Sequence, residues 1–138
     1  YVIISGLTIT GGTGSSSGAI GGGVLVTSKY EYTSPQLILE DSIITGNNAQ
    51  NGAGIAAGNN TGANKYGYVQ LIDTDVYGNG NTSTLQGGGV YINLGTVECT
   101  STSGTTGIYD NTAGAGGGAG TGRGTCGVSR PMGEHAGA

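Results

Sequence analysis

The chain lacks the side chains that fill an ordinary hydrophobic core. Its 138 residues include no Phe, no Trp and one Met, and all of its aromatic residues are Tyr. A conventional globular core of this length is therefore excluded, because it needs more bulky apolar volume. No apolar run is long enough to cross a membrane as a helix, and no window keeps a helical period. We expect almost no helix and no membrane span.

Basic residues are equally scarce. The chain has four of them against eight acidic residues, and its net charge is −4. A nucleic-acid partner requires a stripe of positive charge, so none is predicted. The run "GRGTCG" (Gly122 to Gly127) has the spacing of a dinucleotide-binding loop, but no helix pattern follows it. The calcium-binding nonapeptide is absent as well, and we predict no cofactor.

Glycine is abundant and recurs in a pattern, as in "IITGNNAQNGAGI" (Ile43 to Ile55). An aliphatic-x-x-Asn motif ends at Asn47, Asn79 and Asn111, and Gly12 takes the place of Asn in a weaker first copy; the successive differences in residue number are 35, 32 and 32. Glycine runs that lead into an aliphatic residue are marked by Gly23, Gly54, Gly89 and Gly118, with differences of 31, 35 and 29. Such a period is the signature of a repeat architecture.

Short apolar runs lie between these motifs and favour strands over low-complexity disorder. The runs "YVIISGLTIT", "QLILEDSII", "YVQLIDTDVY" and "GGGVYINL" are rich in β-branched residues and bounded by turn residues. A propeller blade would need about four strands per ~40 to 45 residues and a motif of its own. In a coil that rises about 4.8 Å per turn, equivalent Asn side chains can bond in a ladder. Asn47, Asn79 and Asn111 are predicted to form it.

Glycine would mark the next corner of such a coil. It lets the backbone bend and lets successive coils approach without Cβ collisions. We therefore assign Gly23, Gly54, Gly89 and Gly118 as corner glycines.

The pairing of aliphatic-x-x-Asn with Gly-Gly-Ala/Gly-aliphatic resembles the repeats of bacterial polymorphic outer-membrane proteins and related secreted β-helix proteins. The phrase "GLTITGG" (Gly6 to Gly12) is similar to the opening of such repeat regions. The chain departs from the family by using Ile or Val where Phe is frequent, and it shows no barrel domain. The resemblance implies an all-β, right-handed parallel β-helix of about four coils over residues 1–120, with residues 121–138 an irregular tail or cap.

The resemblance further implies an extracellular or cell-surface structural or adhesive protein. A stack of coils exposes unpaired N–H and C=O groups at its ends, which proteins either cap or pair. Because no cap precedes Tyr1, we expect the N-terminal face to dock head to tail on another copy, which gives a filament or a stalk, or on a missing upstream segment. The chain starts within a strand pattern, without Met or a signal peptide, so we also expect a mature or excised segment of a longer protein.

A polysaccharide lyase or glycosidase is the alternative from a different class. Asp41 and Asp73 both lie six residues before a ladder asparagine and should stack, with Asp75 close by. Such carboxylates could bind Ca²⁺ or act as an acid/base pair on a glycan. A lyase would also need a basic residue nearby, so we interpret the row as a solvated polar corner. His135, beside Glu134, is interpreted as a surface residue, and neither a catalytic residue nor a metal site is predicted.

Tyrosines give a second alternative, a carbohydrate-binding module. "KYEY" and "KYGY" are predicted to occupy the same loop before two strands, and two further tyrosines share an outward row before the ladder turn. A tyrosine ring suits a sugar ring or another protein surface, although the rings could instead stack only to cover backbone. The candidates are Tyr30, Tyr32, Tyr66, Tyr68, Tyr77 and Tyr109.

Cys99 and Cys126 are separated by close to one coil, and the motif "TVECT" puts Cys99 in the inward row. Gly89 and Gly118 are 29 residues apart, and the residue 29 positions after Val97 is Cys126. Stacked cysteines would lie within the ~4.4 to 6.8 Å Cα window of a disulfide, which an extracellular setting favours; two buried thiols are the alternative.

Two sequons are candidate modification sites. Asn59 and Asn81 begin them, and both lie in predicted loops. They are glycan sites in a eukaryotic protein and plain turns otherwise.

Overall fold

The computed structural model describes residues 1–14, 20–30, 32–58, 66–102, 106–114 and 123–124. All regular structure in these ranges is β-strand, and no helix there could span a membrane. The strands are β1 (Val2–Ser5), β2 (Thr8–Ile9), β3 (Val24–Val26), β4 (Gln36–Glu40), β5 (Ile43–Thr45), β6 (Ile55–Ala57), β7 (Gly67–Ile72), β8 (Asp75–Tyr77), β9 (Val90–Ile92), β10 (Gly95–Thr100), β11 (Gly107–Tyr109) and β12 (Arg123–Gly124).

The strands form three parallel sheets that the chain visits in turn. Sheet A has the order β1-β4-β7-β10-β12, sheet B the order β2-β5-β8-β11 and sheet C the order β3-β6-β9. Every strand pairing in them is parallel. We call β1–β3, β4–β6, β7–β9 and β10–β11 successive layers. The all-β, parallel arrangement is therefore confirmed, and it is consistent with a β-solenoid.

The pairing register differs between the sheets. In sheet B, Ile9, Ile44, Val76 and Ile108 are aligned, so the differences in residue number between paired strands equal those between the ladder positions. In sheet C the differences equal the first two glycine spacings. In sheet A they shorten from layer to layer, from 35 and 32 to 28 and 27. No single period describes the chain, because the connections at different corners differ in length.

Leu, Ile and Val side chains fill the interior between the sheets. Along β7 buried and partly buried residues alternate, as expected when successive side chains point to opposite faces. The inward column Ile44, Val76 and Ile108 is at most 1% exposed. The narrow cross-section explains how a chain without Phe or Trp can still bury an apolar core. Its members are Val26, Leu37, Leu39, Ile44, Ile55, Ala57, Val69, Leu71, Val76, Val90, Ile92, Val97 and Ile108.

Three of the apolar runs are each divided into two strands by a left-handed residue. Gly6 separates β1 from β2 with φ of 70°, and Asp41 and Asp73 separate β4 from β5 and β7 from β8 with φ of 46°. Left-handed backbone is uncommon outside glycine, and Asp is among the few residues that tolerate it. These residues form the corner between sheets A and B.

The first layer forms an open edge of the described structure. Strands β1, β2 and β3 each lie at one end of their sheet and pair with a single neighbouring strand. Val2, Ile3, Leu7 and Leu25 lie in this layer and are 45 to 57% exposed. At the other end, β12 pairs with β10 although it lies inside the segment 121–138 that the sequence assigns to a tail or cap. The rest of that segment is outside the described residues.

Candidate functional site

The predicted ladder asparagines lie at one corner, directly after the strands of sheet B. Asn47 Nδ2 donates to Asn79 Oδ1 at 3.0 Å, and Asn79 Nδ2 donates to Asn111 Oδ1 at 3.0 Å. All three side chains are buried, with 7% exposure or less. We call this the amide corner. Its side chains form a continuous chain of hydrogen bonds across three layers.

The same amides also satisfy the backbone around them. Asn79 Nδ2 donates to the carbonyl of Tyr77 at 3.0 Å and to that of Ile44 in the preceding layer at 2.9 Å. Its Oδ1 accepts from the backbone N–H of Asn47 at 3.1 Å. In the first layer the N–H of Gly12 donates to Asn47 Oδ1 at 2.9 Å. Gly12 therefore joins the ladder through its backbone.

The residue before each ladder position is left-handed. Gly11, Gly46 and Gly78 have φ of 74°, 65° and 63°, and Asp110 has φ of 50°. Their backbones are hydrogen-bonded from layer to layer in register. Glycine adopts this conformation without a Cβ penalty, so the chain turns here and the following Asn enters the interior.

Two of the predicted corner glycines face the amide ladder across the interior. A Cβ on Gly23 would lie 2.8 Å from Asn47 Nδ2, and one on Gly54 would lie 3.1 Å from Asn79 Nδ2 and 2.5 Å from the carbonyl oxygen of Gly89. The Asn and Gly motifs are therefore two halves of one packing arrangement, in which the absence of a side chain makes room for the amides.

The sharp bend, however, is made two residues before the glycines to which we assigned it. Gly21, Gly52 and Gly87 carry the positive φ of 71°, 62° and 56° at this corner. The positive φ thus lies two residues before Gly23, Gly54 and Gly89, whereas the close approach between layers, the other reason for assigning these glycines, is present at Gly23 and Gly54. Gly118 lies outside the described residues.

A second ladder, which the sequence reasoning missed, lies between sheets A and B. The N–H of Ser42 donates to Thr74 Oγ1 at 3.2 Å, and the N–H of Thr74 donates to Thr106 Oγ1 at 3.3 Å. Thr74 Oγ1 donates in turn to the carbonyls of Leu39 and Ile72 at 3.0 and 2.9 Å. We call Ser42, Thr74 and Thr106 the hydroxyl corner. Its members repeat at the same interval as the ladder asparagines, which was the available signal.

The acidic residues at the corner between sheets A and B lie in register, and Asp73 is hydrogen-bonded. Asp41 and Asp73 occupy equivalent positions, each one residue beyond the Glu40–Ile72 pair. The Asp73 carboxylate accepts from the N–H of Thr102 at 2.8 Å and also from its hydroxyl. Among the described residues no group of three or more His, Cys, Asp or Glu could hold a metal ion. His135 and Glu134 lie outside them.

Tyr77 and Tyr109 stack in the outward row of sheet B. Their ring centroids are 5.2 Å apart and the ring planes differ by 6°. Burial, and next the negative charge of Asp75, raises the pKa of Tyr109. This pair fits the covering role, because the ring faces are turned towards each other. It fits a binding role as well.

The four tyrosines of "KYEY" and "KYGY" do not occupy equivalent positions. Tyr68 lies in β7 and pairs with Gln36, whereas Tyr32 lies four residues before Gln36, with φ of 60°. Tyr30, Tyr32 and Tyr66 do lie in the connections that lead from sheet C to sheet A, as the shared loop predicts. The two motifs are nevertheless not aligned residue for residue, because the register of sheet A pairs Tyr68 with Gln36 and not with Tyr32. Tyr30 and Tyr32 are 67 and 77% exposed.

Tyr66 and Tyr68 instead line a groove where the chain passes from sheet C to sheet A. Its volume is about 380 Å³. The Tyr68 hydroxyl donates to Glu98 Oε2 at 2.7 Å, and this hydrogen bond raises the pKa of Tyr68. The lining residues are Ser34, Tyr66, Gly67, Tyr68, Asn93, Leu94, Gly95 and Thr96.

Cys99 lies in the inward row of β10, paired with Leu71, and is disulfide-bonded. Cys126 lies outside the described residues, so this pairing stays a prediction. The offset used to predict it is wrong, because Val97 pairs with Gly124 and not with Cys126.

The two sequons differ in what the structure describes. Asn81 is exposed, and its Oδ1 accepts from the N–H of Ser83 at 2.8 Å, which closes a local turn. Asn59 lies outside the described residues. Whether either carries a glycan stays a prediction.

Comparison with known proteins adds no further assignment. No family model, curated protein or solved structure matches the chain. The resemblance to polymorphic outer-membrane protein repeats therefore depends on the sequence motif, and the function has to be inferred from the geometry.

Proposed function

We propose that the chain is a structural module of an extracellular or cell-surface protein, a right-handed parallel β-helix of about four coils that associates end to end. The observation that carries the proposal is the open edge of the first layer, where β1, β2 and β3 are each the last strand of their sheet in the described structure. Strand edges of this kind are templates for pairing with another chain.

The strands of the first layer have neither of two common features that prevent edge pairing. Natural proteins protect an edge with charged side chains or proline. The first charged residue is Lys29 and the first proline is Pro35, so these strands contain neither. Val2, Ile3 and Leu7 add apolar surface that is more than half exposed. This composition favours pairing and supports association over display as a monomer.

The described interior supports a structural role over a catalytic one. The buried amides of Asn47 and Asn79 are fully engaged in hydrogen bonds with backbone and with the next asparagine. Buried polar networks that are fully satisfied make a structure rigid and specify one packing. The Asp73 carboxylate is likewise engaged, by Thr102. These groups stabilise the stack of layers.

Stacking one copy on another is a head-to-tail contact between different surfaces. Such a contact does not close on itself and generates an open fibre. In this proposal the β1–β3 edge pairs with the opposite end of a second copy, and the assembly is a filament or the stalk of an adhesive protein.

The proposal is tested by measuring particle mass across a dilution series and by electron microscopy. The wild-type chain should form species heavier than the 13.4 kDa of one chain, with a mass that increases with concentration. The double variant Ile3→Lys/Leu7→Lys places charge at the edge and should stay monomeric. Leu85→Lys changes a similarly exposed leucine of a later layer and serves as the matched control. Wild-type monomers at every concentration would reject the proposal.

A further inference from the structure

The groove between sheets C and A has the size of a ligand site. Its volume of about 380 Å³ falls within the ~300 to 1,000 Å³ of typical small-molecule pockets. It lies on the side of the stack, bounded by the start of β7, the start of β10 and the bend at Asn93 and Leu94. It is therefore separate from the first-layer edge.

The lining combines aromatic rings with uncharged polar groups. Tyr66 and Tyr68 supply the rings, and Ser34, Asn93 and Thr96 supply hydroxyl and amide groups. None of the lining residues that the structure describes is charged. Tyrosine offers an apolar face with a polar tip, which suits a ligand that has both apolar and hydroxyl-bearing surfaces. A neutral sugar has both.

The groove is held in place by regular structure. Tyr68 lies within β7, and its hydroxyl donates to Glu98 of the neighbouring strand at 2.7 Å. The floor is formed where Gly95 lies over Gly67, so close that a Cβ on Gly95 would be 2.0 Å from the Gly67 carbonyl oxygen. Sites that are built on strands and supported by hydrogen bonds from surrounding residues hold their geometry well.

We propose that this groove binds one unit of a neutral glycan, with the C–H face of the sugar against a tyrosine ring and its hydroxyls on Asn93, Thr96 and Ser34. Aromatic grooves also bind proline-rich peptides in the polyproline conformation. The glycan is favoured because three polar side chains accompany the two tyrosines.

The test is isothermal titration of the full chain with hexasaccharides of β-1,4-linked glucose, mannose, xylose and N-acetylglucosamine. At least one should bind saturably. Tyr68→Ala should weaken that binding roughly tenfold or more, and Thr96→Val, which removes only a hydroxyl, should weaken it by several-fold. Leu85→Ala removes an exposed apolar side chain outside the groove lining and should leave the affinity unchanged. Thermal unfolding of each variant checks that it is folded, and Thr96→Val provides the result if Tyr68→Ala does not fold.

Binding should persist in the Ile3→Lys/Leu7→Lys variant, so failure of self-association and failure of glycan binding are distinguishable. Three results would overturn the inference: no binding to any of the four sugars, an equal loss of affinity in Leu85→Ala, or tighter binding of a proline-rich decapeptide that Tyr68→Ala abolishes.

Discussion

The two corners that bound sheet B both satisfy buried backbone groups, but they do so with different side chains. At the amide corner, Asn47, Asn79 and Asn111 bond to one another and to backbone. At the hydroxyl corner, the Thr74 side chain accepts a backbone N–H from the preceding layer and donates to a carbonyl, without a described bond to the next hydroxyl. Both corners satisfy buried backbone groups, but only the amide corner links side chain to side chain.

The difference follows from the number of donors that each group carries. A primary amide has two N–H donors and an acceptor oxygen, whereas a hydroxyl has one donor. The amide can therefore bond within its layer and with both neighbouring layers. Linking side chain to side chain requires an amide in each linked layer, and Asn is present in the second, third and fourth layers, whereas Gly12 of the first layer joins only through its backbone. The hydroxyl corner tolerates a change of residue, because Ser42 stands beneath Thr74.

The largest effect should come from replacing the middle amide by a carboxylate. Asn79→Asp would place a charge among the carbonyls of Tyr77 and Ile44, and we expect a loss of about 3 to 5 kcal/mol of unfolding free energy at pH 7. Burial should raise the folded-state pKa of this Asp above its unfolded value of about 3.9. The part of the loss that the charge causes should therefore be absent below that pH and grow as the pH rises through the folded-state pKa, whereas the part due to the lost N–H donors should persist at every pH.

Urea unfolding of Asn79→Asp and wild type, at pH 7 and at a pH below the unfolded-state pKa of about 3.9, measures this loss of unfolding free energy. Asn81→Asp, in an exposed turn, is the control that changes net charge equally. An equal loss in both variants would show that the amide corner has no special role.

The next largest loss of stability should come from a substitution in the row of glycines that lies against the amide corner. Gly54→Ala would put a Cβ 2.5 Å from the Gly89 carbonyl oxygen and 3.1 Å from Asn79 Nδ2, and overpacking of this kind costs about 1 to 3 kcal/mol. Because the two rows touch, Gly54→Ala and Asn79→Ala should be non-additive in a double-mutant cycle. Gly114→Ala is the control, since its Cβ would lie 3.5 Å from the nearest atom. Additivity within about 0.3 kcal/mol would contradict coupling of the rows.

The hydroxyl corner should be less sensitive. Thr74→Val keeps the branched shape and removes the hydroxyl that serves Ser42, Leu39 and Ile72. We expect a loss of about 1 kcal/mol in denaturant unfolding, with the outward-facing Thr45→Val as control. A loss as large as that of Asn79→Asp would remove the distinction between the corners.

The hydrogen bond between Tyr68 and Glu98 lies at the surface, so its contribution to stability can be compared with the contributions of the two buried ladders. Glu98→Gln should change the unfolding free energy by no more than about 0.5 kcal/mol, as surface substitutions usually do. It should nevertheless lower the pKa of Tyr68 towards its ordinary value, because the hydrogen bond to Glu98 is the main cause that raises it. The bond stabilises the fold below the unfolded pKa of about 10, and that contribution is lost as the pH rises through the folded-state pKa.

A pH titration of the Tyr68 ring by NMR reads this prediction directly. Glu40→Gln, which changes another acidic residue of sheet A, is the control. An unchanged Tyr68 pKa in Glu98→Gln would show that the surface bond does not form in solution.

The sequence predicts the amide corner well because its marker is local and repeated. The left-handed Gly, the following Asn and the strand before them lie within a few residues, so the spacing of the asparagines equals the register of sheet B. The same reasoning places Tyr77 beside Tyr109, since each lies two residues before a ladder asparagine. The hydroxyl corner carries an equal period but a variable residue, and it was missed for that reason.

Only the tertiary structure decides how sheet A is aligned. The connection from the close-approach glycine to the next inward residue of sheet A runs from Gly54 to Val69 in one layer and from Gly89 to Val97 in the next, where it is much shorter. No repeated residue marks this corner, so the sequence could not show which residue pairs with Tyr68 or which residues border the groove.

Inward-facing side chains are fixed by the need to bury apolar surface and to satisfy buried amides, and both requirements are written into composition and period. The sequence by itself therefore determined the parallel strands, the interior and the amide corner. The outward surface and its groove depend on loop lengths, which become meaningful only once the layers are stacked.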